Sequence, residues 1–148
     1  MAGRRGRGKN DPVDLDAARS FARGQHRAVL ATARRDGTPQ LSPVLVAVDT
    51  TGAFVISTRT TAVKTANIQR EPRVSLCVLS DGFFGPWVQI GGVAEIIRLP
   101  EAMEPLVDHY RQISGEHPDW DGYRAAMERE HRCLVRVTPT VAGPDRSG

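Results

Sequence analysis

Six short apolar runs, tight turns between several of them, and glycine and proline breaks inside them predict a mainly β chain with helices. The expected architecture is a six-stranded antiparallel barrel, since strands joined by tight turns pair antiparallel and a closed sheet leaves no bare edge. The runs lie at 27–33, 41–49, 53–58, 73–80, 87–98 and 133–139 of the 148 residues. Such a length suits one domain with a real core.

The elements follow in order. "DPVDLDAARSFARGQH" offers Asp11 or Asp14 as a helix cap, with Leu15, Ala18, Phe21 and Ala22 on one face and Gly24 at the end. "RAVLATA" is a strand, and Asp36-Gly37 is the turn after it. "LSPVLVAVD" is a second strand whose Pro43 implies an edge or a bulge, because proline donates nothing to the ladder. "TTG" turns the chain into "AFVIST", a short helix follows around Lys64, and "RVSLCVLS" is the fourth strand. The fifth, "WVQIGGVAEIIR", carries Gly91-Gly92 at its middle, the mark of a bulge or tight barrel corner. Two helices then repeat apolar residues at helical spacing. One has Met103, Leu106, Val107, Tyr110 and Ile113, with Pro105 acceptable only near its start. The other has Trp120, Tyr123 and Met127 behind an Asp119 cap. "CLVRVTP" is the last strand. The expected division is a disordered basic tail at 1–10, one barrel domain at 11–143 and a short tail at 144–148.

Charge narrows the partners. The chain carries +3 overall, yet Arg4, Arg5, Arg7 and Lys9 place +4 in the first nine residues. The rest is therefore close to neutral. The basic excess reads as a solubilising Gly/Arg tail; brushing against nucleic-acid backbones is the other use such a tail can have. No specific nucleic-acid partner is expected. No apolar run approaches the length of a membrane span, and no secretory signal is visible. Cys77 and Cys133 sit in strand-like runs and read as reduced core residues of a cytoplasmic protein.

Familiar catalytic patterns are missing. His26, His109, His117 and His131 have no metal-ligand spacing to one another or to a cysteine. Nucleotide-binding glycine loops and the nucleophile elbow are absent too. An enzyme built from this chain would need a bound cofactor for its chemistry. One stretch, "STRTTAVK" at 57–64, points to where. A helix starting near Thr60 to Ala62 presents unpaired N–H groups and the positive end of its dipole. Ser57, Thr58 and Thr60 add hydroxyls, and Lys64 stands at an end that disfavours a cation unless an anion is present. The pattern fits a phosphate cradle; it also fits a polar loop leading into a surface helix.

Three segments, "RAVLATARRDGTPQLSPV", "KTANIQREPRV" and "WVQIGGVAEI", are similar to the pyridoxamine-phosphate-oxidase-like, split β-barrel proteins of actinobacteria that use the deazaflavin F420. "YRQISGEHPDWDGYRAAM" resembles one branch of them. The resemblance runs from about Gln25 to Thr138. It implies an FMN-binding-like split barrel, a homodimer with two sites between subunits, and a small-molecule substrate. The ring would rest along Gln40, Leu41, Ser42, Pro43 and Val44. The phosphate would meet Ser57, Thr58, the backbone near Val63, and Lys64. Asn67 belongs to the helix motif as either a cofactor-side or a structural residue. Trp87 would be offered by the second subunit, or would simply pack at the barrel mouth. Relatives often carry an arginine where Ala62 stands here, and Arg59 is the expected substitute. The ending "TVAGPDRSG" lacks an aromatic, proline-rich tail. The implied activity is hydride transfer from reduced F420 to a small conjugated molecule. An FMN oxidoreductase and a non-catalytic cofactor carrier are the alternatives.

Overall fold

The computed structural model describes residues 13–147, so the basic tail expected at 1–10 lies outside the described residues. The elements are α1 (Leu15–Gly24), β1 (Arg27–Ala33), β2 (Pro39–Val48), β3 (Phe54–Arg59), α2 (Val63–Arg70), β4 (Arg73–Leu79), β5 (Pro86–Arg98), α3 (Met103–Ser114), α4 (Trp120–Arg129) and β6 (Arg132–Ser147). The strands close into an antiparallel barrel in the order β1-β2-β3-β6-β5-β4, and β4 pairs back onto β1.

Local chemistry explains most of the boundaries. Asp14 caps α1 and accepts from the Asp16 amide; Asp119 caps α4 and accepts from Gly122. Pro105 is the third residue of α3, inside the first turn where its missing N–H costs nothing. Gly37 turns β1 into β2 with φ of 84°, and Gly52 turns β2 into β3 with φ of 86°. Asp49 organises that second turn. One carboxylate oxygen accepts from the Thr51 amide, the Thr51 hydroxyl and the Ala53 amide, and the other from Arg136. Burial alone would push this carboxyl up, but the bonds from Thr51 and Ala53 and the Arg136 charge outweigh it and hold it below the usual range.

β2 is divided along its length. Residues 39–45 pair with β1, while 46–48 pair with β3. Pro43 falls in the half paired on one side only, which meets the expectation of an edge. The Gly91-Gly92 bulge is also present, as a shift in the β5–β6 register. A side chain at Gly92 would meet the Thr138 carbonyl oxygen at 2.4 Å, so only glycine lets the strands approach there. The last strand departs from expectation. It runs to Ser147 rather than ending near 139, and takes in 144–147, because the long β5 offers a ladder that Asp145 and its neighbours can join regardless of their own polarity.

Alternation along the strands builds two cores. Leu30, Phe54, Ile56, Leu76, Ile90, Val135 and Val137 fill the barrel. Ala47, Val55 and Leu134 face outward and pack under α3 and α4 through Leu106, Val107, Tyr123 and Met127. These two helices cover only the β2-end, β3 and β6 flank. The outer face of β1, β4 and the first half of β2 stays open, with Leu41 62% and Leu45 49% exposed.

The helix start expected at Thr60 to Ala62 is a turn, and α2 begins at Val63. Asn67 sits buried beneath α2. Its amide donates to the Thr32 hydroxyl at 3.0 Å, its carbonyl accepts from Arg70, and Thr32 donates on to Gln40. Asn67 thereby ties α2 to β1 and β2.

Two outcomes follow. Asn67→Ala leaves buried Thr32 without its donor and is expected to cost about 1–3 kcal/mol in urea unfolding. Tyr123 donates to the Leu106 carbonyl at 2.9 Å, and burial pushes its phenol up to about 12. The folded value lies above the unfolded value of about 10, so this stability is complete below that value and is lost as pH rises through the folded one. Tyr123→Phe should be less stable than the parent by about 1 kcal/mol at pH 8. The gap should narrow in unfolding curves taken at successively higher pH above about 10.

Candidate functional site

Where the helices leave the sheet uncovered, a cavity of about 590 Å³ opens. Ser57 and Thr58 reach it from the end of β3, and Lys64 from the first turn of α2. Arg27, Ala28 and Val29 come from the start of β1, and Pro43, Val44 and Leu45 from the middle of β2. Leu79, His109 and Arg132 complete the lining from β4, α3 and β6. The lining holds three permanent cations, Arg27, Lys64 and Arg132, and no carboxylate. Its middle is apolar, so the cavity suits a flat apolar body carrying an anionic group.

Helix α2 opens without a side-chain cap, since Ala62 holds the cap position. Its first N–H groups and dipole favour an anion, and Lys64, placed where a cation is otherwise disfavoured, has no ion-pair partner among the described residues. His109 forms part of the opposite wall. Its Nε2 donates to the Leu45 carbonyl at 3.0 Å, and His26 donates through Nδ1 to the next carbonyl, Val46, at 2.8 Å. Burial pushes the His109 imidazolium down; the Leu45 bond opposes this and His26 adds to it. His109 is therefore a neutral clamp on β2 at pH 7.

Five of the residues selected from sequence line the cavity: Pro43, Val44, Ser57, Thr58 and Lys64. The rest lie elsewhere. Side chains alternate along β2, so Leu41, Pro43 and Leu45 share the outer face while Ser42 opposes Leu30 on the inner one. The Ser42 hydroxyl is buried there without a partner. Gln40 accepts from Thr32 and donates to the Leu41 carbonyl, which makes it part of the Asn67 network. The Val63 side chain points to solvent at 62% exposure, while the group selected from sequence is its backbone, at the first position of α2. Arg59 pairs with Glu130 at 3.0 Å and lies outside the lining. Trp87 opposes Leu79 and lines a small cleft against α1 with Val13, Ala18 and Phe21.

Sequence reasoning missed Arg27, Leu45, His109 and Arg132. Leu45 was findable, two residues beyond Pro43 on the same face. His109 and Arg132 carry no local signal, because the packing of α3 and the β3–β6 register bring them in. Among the described residues no three His, Cys, Asp or Glu side chains gather where a metal ion could bind, and no helix is long and apolar enough to cross a membrane.

Known structures share this architecture. A conserved hypothetical protein from Mycobacterium tuberculosis is 25% identical, with a TM-score of 0.73 over 93% of this chain and 87% of its own. An F420 reductase is also 25% identical, with a TM-score of 0.65 over 84% of this chain and 94% of its own. A heme binding protein from Mycobacterium smegmatis, at 20% identity and a TM-score of 0.66 over 93% of this chain and 58% of its own, shares the fold. Residues 15–143 match the pyridoxamine 5'-phosphate oxidase family, a span that runs from the first residue of α1 to the far part of β6. The barrel, its order of strands and helices, and this match over most of its length agree: the chain belongs to the pyridoxamine 5'-phosphate oxidase family.

Proposed function

We propose that the protein is a cytoplasmic F420-dependent oxidoreductase that reduces a small conjugated substrate. The observation that carries this reading is the cavity itself. Two hydroxyls and a lysine with no ion-pair partner among the described residues line a largely apolar cleft that holds no carboxylate, and that lysine stands in the first turn of a helix without a side-chain cap. Similarity to an F420 reductase supports the deazaflavin over FMN, which has a phosphate as well.

Lys64, Ser57 and Thr58 would hold the phosphate, and Pro43 and Leu45 would lie under the ring. Once bound, the deazaflavin supplies a hydride from its C5 carbon. The chain's own part is to orient the ring, neutralise the phosphate and exclude water from the apolar middle. His109 keeps Leu45 in place by holding its carbonyl. No side chain of the lining stands as a proton donor at neutral pH, since His109 is neutral and its Nε2–H is committed; solvent supplies the proton.

The working form is a homodimer. The barrel interior is filled by side chains, so the ligand lies on the outside, where the single chain leaves Leu41 and Leu45 exposed. A second copy would cover that surface and bring its own Trp87 over the ring.

Lys64→Ala is expected to weaken F420 binding by about 1.5–3 kcal/mol, roughly tenfold to a hundredfold, in a fluorescence titration. FMN titrated in parallel should bind more weakly than F420; tighter FMN binding would transfer the function to the flavin. Light scattering should report a dimer at micromolar concentration. Trp87→Ala should lose about 0.5–1.5 kcal/mol of cofactor affinity beyond lost burial, together with the quenching of tryptophan fluorescence on binding. A monomer with full affinity would sink the two-subunit site.

A further inference from the structure

We infer that Arg132, and not Arg59, is the second cation that grips the ligand's phosphate, with Glu130 holding Arg59 aside. This rests on the phosphate reading of the cavity but not on which flavin-type cofactor fills it. Arg59 and Arg132 are direct partners across the β3–β6 ladder, so two like charges stand side by side. Glu130, just after α4, accepts from both: from Arg59 at 3.0 Å and from Arg132 at 3.3 Å. The shorter contact goes to the arginine outside the cavity. Arg59 keeps 55% of its side chain exposed, while Arg132 keeps 26% and lines the cavity with Ser57, Thr58 and Lys64.

Arg132 is also the incompletely bonded one. Its Nε is buried and has no acceptor. A guanidinium N–H taken out of water without an acceptor is unfavourable until one arrives, and a phosphate oxygen is the acceptor for which that planar fork is suited. The charges agree. Arg59, Arg132 and Lys64 carry three positive charges against the single carboxylate of Glu130. The excess of two matches a phosphate monoester dianion and also attracts a phosphodiester.

A neighbouring group senses the same arrangement. Burial, the larger influence, pushes the Cys133 thiol up, while a side-chain hydrogen bond with Thr65 and, after it, the charges of Arg98, Arg132 and Lys64 act in the opposite direction. Lys64 from α2 and Arg132 from β6 line the same cavity from different elements. Ala62 brings no charge to the helix start, so β6 supplies what the helix lacks.

The test compares FMN with riboflavin, which differ by the phosphate alone, and F420 with FO, which lacks the phosphate and the carboxylate-bearing tail beyond it, so that the first pair decides the phosphate contact. Arg132→Gln should weaken the phosphorylated form by about tenfold or more and leave the phosphate-free form within about threefold. Arg59→Gln should leave both within about threefold. Arg132→Lys should recover part of the loss. Thermal melting checks that each variant folds. Equal losses for both forms with Arg132→Gln, no loss at all, or a larger phosphate-specific loss with Arg59→Gln would overturn the assignment. Parent protein that prefers FMN sinks the deazaflavin reading, while the FMN-to-riboflavin ratio still decides Arg132. Parent protein that distinguishes neither pair removes the phosphate site and this assignment together.

Discussion

Closing six strands into a small barrel constrains the rest of the molecule. The interior is occupied by Leu30, Phe54, Ile56, Leu76, Ile90, Val135 and Val137, so no ring-sized ligand can enter it. Any site must lie on the outer surface, and the helices decide where. α3 and α4 bury Ala47, Val55 and Leu134 on one flank. The complementary flank, built on β1, the first half of β2 and the end of β4, is left for function. The division of β2 is what separates the two. Its last residues belong to β3 and the helices, while its earlier ones, Pro43 among them, stand at an opening in the ladder.

This explains which features the sequence disclosed. Turns, caps and bulges depend on residues close in the chain, so Asp14, Gly37, Gly52, the Gly91-Gly92 pair and Asp119 all announced themselves. The alternation of apolar residues likewise disclosed the barrel strands. The end of β6 was hidden, because its polar residues pair only where β5 provides a partner. Within the candidate site, Ser57, Thr58 and Lys64 were legible because a strand end and a helix start lie next to each other in sequence. Arg132 and His109 were not, since only register and packing carry them there. Ser42 shows what a linear reading leaves out. A stretch of strand was selected as a unit, yet its side chains alternate, and the hydroxyl turned inward beside Leu30.

The small helix α2 shows how the fold serves the site. It has eight residues, too few to be stable alone in water. Its buried face is largely polar: Thr65 and Asn67 are sequestered along with Ile68. Thr65 donates to the Arg59 carbonyl at 2.7 Å, Asn67 to Thr32, and Arg70 to the Ala33 carbonyl. Apolar packing would allow the helix to slide, because it has little directional preference. Hydrogen bonds to β3 and β1 at successive turns allow much less, since each weakens steeply as its angle departs from linear. The helix start is thereby fixed against the end of β3, and Lys64 is held beside Ser57 and Thr58. A helix chosen for stability would have placed an acid in its first turn and a capping side chain before it. This one has Ala62 and Lys64 instead, and both departures fall at the end that adjoins the cavity. The local preference is violated where an anion would restore it, and the anchors beneath the helix keep it in register for that encounter.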